Sequence, residues 1–136
     1  MKLMPHNRYV GSKRYSLEGA AALVPLLDGI LEAAAAGGVD TVLVAMSHRG
    51  RLTVMTRVIG TPPWQLFAGY EDFEPRSVLG SGDVKYHMGA TGTYTTAAGK
   101  ALAMHLVSNP SHLEAVNPVL QGRVRARQAR LGADGG

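Results

Sequence analysis

Apolar residues recur at helical spacing near the start of the chain. Leu23, Leu26, Leu27, Ile30 and Leu31 predict a helix, opened by Ser16 and Glu18 and running to about Ala36, with one face on a core. Pro25 falls inside that pattern and should kink the helix or end its first part. Gly37-Gly38 stops it. The pattern then changes to a continuous short run, Thr41 to Ala45, with the length and β-branched content of a buried strand. Beyond Ser47-His48-Arg49-Gly50-Arg51, the residues Leu52, Met55, Val58 and Ile59 predict a second amphipathic helix, closed by Gly60. Thr61 to Phe67 reads as a short capped helix that buries Trp64, Leu66 and Phe67. Glu71 to Leu79 reads as loop, Val84 to Thr91 is ambiguous, and Tyr94 to Thr96 has strand propensity. Leu102, Met104 and Leu106 alternate with Ala101, Ala103, His105 and Val107, which predicts a strand covered on both faces. Ser111-x-x-Glu114 has the form of a capping box, and the helix it opens should restart at Asn117-Pro118 and run through Arg130. Helices alternating with strands predict an α/β fold, a sheet with flanking helices.

Composition narrows the class. With 46% hydrophobic and 18% charged residues, the 136-residue chain is suited to one modest domain with a core. No apolar run is long enough to span a bilayer and no signal-peptide pattern opens the chain, so a cytoplasmic protein that avoids membranes is expected. The absence of cysteine rules out disulfides and thiolate metal sites. The 17 glycines cluster at Gly37-Gly38, Gly80 to Gly82, Gly89 to Gly92 and in the tail from Gly132. All but the tail look like places of positive φ or close backbone approach. Of the net +4 charge, Arg123, Arg125, Arg127 and Arg130 fall in one C-terminal stretch. No aromatic residues interleave with them, so a solvated helix face ranks above nucleic-acid binding. A non-catalytic anion- or nucleic-acid-binding module built on that helix is kept as the alternative function.

Candidate chemistry lies where strands end. In an open α/β sheet, ligands bind beyond the carboxyl ends of the strands. His48-Arg49-Gly50-Arg51 follows such a strand, and GSGDVKYHMG (Gly80 to Gly89) and NPSHLEAV (Asn109 to Val116) are expected at the same crevice. His48, His87 and His112 each sit between a strand-like run and a Gly- or Pro-marked turn, whereas His6 reads as solvated and His105 as a core histidine with one backbone partner. HxxxH and HxH spacings are absent among these three, so no metal site is expected from this chain alone. No Gly-x-Ser-x-Gly elbow is present, and adjacent Ser111 and His112 do not make a dyad. Arg49 and Arg51, flanking a glycine where a helix starts, suit a carboxylate or phosphate, with His48 and His87 adding hydrogen bonds. From the residues alone, this is an anion-binding crevice without an assigned reaction.

Five ordered segments carry a resemblance: KRYSLEG (Lys13 to Gly19), MSHRGRL (Met46 to Leu52), GSGDVKYHMG, NPSHLEAVNPV (Asn109 to Val119) and VRARQ (Val124 to Gln128). Together they resemble the thiamine-diphosphate-dependent component of the 2-oxoglutarate dehydrogenase complex, over nearly the whole chain from about Asn7. GATGTY (Gly89 to Tyr94) looks most like the branch that fuses the decarboxylase with a succinyltransferase-like domain. Met46-Ser47 and Thr53 depart from the commoner GMAHRGRLN wording, and the Thr53 change bears on a supporting contact, not on the pocket.

The resemblance implies decarboxylation of 2-oxoglutarate on thiamine diphosphate with Mg²⁺. The succinyl group would pass to a lipoyl-bearing succinyltransferase, as in the tricarboxylic acid cycle, and the family works as a homodimer. It implies that Arg49 and His87 hold the substrate, that His48 lines the same pocket, with His48 and His87 as the catalytic pair, and that Ser111 and Leu113 contact the coenzyme. The family's Gly-Asp-x-Ala metal motif is absent, so the Mg²⁺ ligands are expected beyond residue 136. Residues 1–12 are expected to be a flexible N-terminal segment, and 13–136 an incomplete, truncated N-terminal part of the first thiamine-diphosphate-binding domain, inactive by itself.

Overall fold

The computed structural model describes residues 16–66, 87–109 and 112–132. Their elements run α1 (Leu23–Ala36), β1 (Thr41–Val44), α2 (Arg51–Arg57), β2 (Ala90–Thr95), β3 (Ala101–Leu106) and α3 (Leu113–Leu131). The fold is α/β: a three-stranded mixed sheet in the order β1-β3-β2, with flanking helices. β1 lies parallel to β3, with Val42 opposite Met104 and Val44 opposite Leu106. β2 runs antiparallel to β3, with Tyr94 opposite Leu102 and Ala90 opposite Leu106. The β2–β3 hairpin is closed by Thr96, whose N–H donates to the Lys100 carbonyl and whose hydroxyl accepts from the Lys100 N–H.

Alternation along the strands sorts the sheet into two faces. Leu102, Met104 and Leu106 point inward with Val54, Val58 and Ile59 from the α2 region and Leu31 and Ala35 from α1, and all are buried. Ala101 and Ala103 point outward and are exposed, so among the described residues β3 is covered on one face rather than two.

Three further expectations change. α1 starts at Leu23, so Pro25 falls in its first turn, where the missing N–H leaves no bond unmade and no kink is needed. Its inward row is Leu23, Leu27, Leu31 and Ala35 at intervals of four, while Leu26 and Ile30 stand 59% and 52% exposed. α3 runs through Pro118 without restarting, and its N-cap is His112 instead of Ser111. Trp64, in a single helical turn over 63–66, is 71% exposed instead of buried.

Glycine at Gly92 is required by close approach. A Cβ there would collide with the Ile59 carbonyl oxygen, just beyond the C-terminus of α2. Positive φ is not what selects it, because Gly92 is extended within β2.

Candidate functional site at the sheet end

The topology carries the chain to one end of the sheet three times. β1 leaves there toward Met46-Ser47-His48-Arg49. β3 leaves beside it toward Val107, Ser108 and Asn109. β2 enters there from His87-Met88-Gly89, because Ala90 pairs with Leu106. The backbone near residue 89 lies flush on the β3 exit: a Cβ on Gly89 would come within 2.6 Å of the Leu106 carbonyl oxygen. The Asn109 N–H donates to the His87 carbonyl at 2.8 Å, and Asn109 takes φ +69°, a left-handed conformation that asparagine tolerates.

Arg51 ties these strand ends together. Its side chain is 0% exposed. One guanidinium nitrogen donates to the Met46 carbonyl at 3.2 Å. The other donates to Met88 at 2.9 Å and to Val107 at 2.7 Å. Its own backbone N–H donates to the His48 carbonyl at 3.2 Å. A planar guanidinium with several fixed donors can meet carbonyls from separate segments at once, which a single ammonium centre cannot do in the same geometry. The expectation that Arg51 forks onto a ligand is therefore corrected: its donors are turned into the protein and sealed from solvent. The sign was present in the sequence, because residues 51, 54, 55 and 58 share one helical face, and the other three are Val54, Met55 and Val58.

The remaining candidates divide. His48 and His87 are partly buried, and Arg49 is exposed, on the turn that Gly50 closes at φ +70°. Gly50 is buried, and a Cβ on it would strike the Leu17 side chain, so the SLEG stretch packs directly on the HRGR turn. Leu113 is 53% exposed on the first turn of α3. Ser111, and the stretch from Gly80 to Tyr86, lie outside the described residues. His105 lies at this end of β3 but on the other face of the sheet. It faces outward, and its Nε2 lies 2.8 Å from an Arg127 Nη of α3. A guanidinium only donates, so that nitrogen accepts and Nδ1 carries the proton. Burial, and then the charges of Arg127 and Arg123, hold His105 below its ordinary pKa of 6.5. The expected core histidine with a backbone partner is thus a surface-facing one with an arginine partner.

A second polar cluster fastens the β2 side to α1. The Tyr94 hydroxyl lies within hydrogen-bond reach of Asp28 and Glu32, and Glu32 also accepts the Ala97 N–H at 2.8 Å. The hydrogen bond to Asp28 first, then burial and the Glu32 carboxylate, push the phenol well above its ordinary range. Among the described residues no group of three or more His, Asp or Glu could hold a metal ion, and no helix is long and apolar enough to cross a membrane.

Comparison with known proteins gives the chain relatives. It is 50% identical over 123 residues to the "Multifunctional 2-oxoglutarate metabolism enzyme" of Mycolicibacterium vanbaalenii, a match covering 89% of this chain and 10% of that protein. It is 48% identical over 132 residues to the "2-oxoglutarate dehydrogenase E1/E2 component" of Corynebacterium glutamicum, covering 94% of this chain and 11% of the relative. A protein of Mycobacterium sp. (strain JLS) with the same name as the first is 46% identical over 123 residues. The chain thus spans about a tenth of the length of the curated relatives it matches. No family model matches it.

Proposed function

We propose that this chain forms one wall of the substrate pocket of a 2-oxoglutarate-decarboxylating dehydrogenase. The observation that carries the reading is identity near 50%, over most of this chain, to proteins named for 2-oxoglutarate metabolism and its dehydrogenase. The sheet end supports it. A dicarboxylic keto acid needs cationic and hydrogen-bonding donors at separate points, and Arg49, His48 and His87 sit on segments that leave or enter that end. Arg49 pairs with a substrate carboxylate. His48 and His87 hold the keto acid and manage its protons, and Arg51 stays behind them.

Thiamine diphosphate, when bound, supplies the electron sink for decarboxylation. The described residues offer it one apolar contact, the exposed Leu113; Ser111 is assigned to it by resemblance. Mg²⁺, which the resemblance implies, has no ligand cluster among the described residues. The lipoyl-bearing succinyltransferase, the homodimer and the cytoplasmic setting belong to the same proposal, as does inactivity of this chain by itself. Relatives named as multifunctional and as an E1/E2 component support placing GATGTY in the fused branch.

The test grafts this chain in place of the matching segment of the Corynebacterium glutamicum relative and follows 2-oxoglutarate-dependent ferricyanide reduction. The graft should be active, and Arg49→Ala should cost about 2–4 kcal/mol in kcat/KM. An active graft whose kcat/KM ignores Arg49→Ala would remove the assigned role. A folded but inactive graft would count against the function itself.

A further inference from the structure

We propose that Arg51 is a positioning residue: its buried guanidinium sets the distance between the Arg49 turn and His87. The inference rests on the proposed substrate pocket for its functional part only. Each of the segments at the sheet end is fastened to this one group. The Met46–His48 turn is held at both ends, through Met46 by the side chain and through His48 by the Arg51 backbone N–H. The His87–Met88 peptide is held on both sides as well, through Met88 by Arg51 and through His87 by the Asn109 N–H. Val107, two residues before Asn109, is held by the same nitrogen that holds Met88. Moving the guanidinium therefore shifts the histidine of one segment relative to the histidine and arginine of another, while the strands keep their own ladders. Arg51 also opens α2, whose next inward turns, Val54 and Met55, are buried in the core. The core packing thereby fixes where the guanidinium stands.

A lysine here keeps the charge and loses the fork, so Arg51→Lys is the informative variant and Arg51→Met the harsher one. Val54→Ala, a core truncation on the same helix, serves as the control for general loss of stability. The first readout is amide hydrogen exchange in the unliganded chain. In Arg51→Lys the Asn109 amide should exchange at least about tenfold faster relative to the Ala103 amide, which donates to Asp40 between β3 and β1. Equal acceleration of both amides, or the same pattern in Val54→Ala, overturns the proposal. The second readout is 2-oxoglutarate affinity by titration. Arg51→Lys should weaken it about tenfold, and Val54→Ala, compared at matched loss of stability, should not. Equal weakening in both variants overturns the positioning role. If the wild-type chain takes up no 2-oxoglutarate, the same measurement is read as kcat/KM in the graft. A wild-type graft that is inactive as well counts against the pocket, and the exchange result still decides what Arg51 holds.

Discussion

The two faces of the sheet are built differently. On the inner face, Leu102 and Met104 are 0% exposed and meet a layer of aliphatic side chains from α1 and α2. On the outer face, Thr91, Thr93, Thr95, Ala101 and Ala103 are exposed, and α3 reaches the sheet through Arg127, on Thr41 and His105. α3 buries only Val116 and leaves Leu113, Val119 and Leu131 more than half exposed. Burial of apolar area is the large favourable term in folding, and an exposed polar contact is a small one. The inner face therefore holds the described fold together, and the outer contact adjusts it. The candidate site belongs with the inner face, because the helix that carries Arg51 is the one that fills the core.

The largest break in this asymmetry should come from Met104→Ala. Truncating a fully buried methionine leaves a cavity and should cost about 2–5 kcal/mol, read as a lowered urea midpoint. Its outward neighbour, Ala103→Ser, should stay within about 0.5 kcal/mol. Equal effects at the two positions would show that the faces are not distinct. Gly92→Ala comes next. Its methyl would press on the Ile59 carbonyl, a backbone atom that cannot rotate aside, so β2 must move off α2 at about 1–3 kcal/mol. A Gly92→Ala protein as stable as wild type would mean that β2 and α2 do not approach this closely.

The same asymmetry explains what could be read from the sequence. β3 was legible because its inward positions are Leu102, Met104 and Leu106, a plain two-residue period. β2 was not, beyond Tyr94. Its inward positions are Ala90, Gly92 and Tyr94, and at Gly92 the Ile59 backbone takes the space that a large side chain would fill, which breaks the apolar period. In α1 nearly every position is apolar, so period alone could not choose between the Leu23–Leu27–Leu31 row and Leu26–Ile30. At the sheet end, the Arg49 and Asn109 segments follow from the ends of β1 and β3, whereas the His87 segment arrives through β2, which the pattern does not reveal. Arg51 reads as a ligand group because it is a charge beside a glycine at a strand end. Its place on the inward face of α2 outweighs that, since a buried guanidinium can be satisfied by backbone carbonyls. Trp64 failed for a different reason: aromatic character argues for burial, but a single helical turn gives it no layer to pack beneath among the described residues.

The smallest effect belongs to the outer face, and its sign can be fixed. His105 is held below its ordinary pKa, so between that value and 6.5 the unfolded chain binds the proton more readily than the folded one. Stability from this group is then fully present above about pH 6.5 and falls as the pH drops toward the folded value. Protonation also removes the acceptor that Arg127 uses and sets an imidazolium against the guanidinium and against Arg123, while Leu43 and Thr91, beside it on β1 and β2, bring no charge. The loss should be under about 1 kcal/mol, because the contact is near the surface. Thermal midpoints near pH 8 and near pH 5.5 should differ less in His105→Gln than in wild type, since glutamine offers an acceptor that does not titrate in this range. Met104→Ala should keep the wild-type pH slope on its lowered baseline, because it alters the opposite face. An unchanged slope in His105→Gln would place the titrating group elsewhere and break the link between α3 and pH.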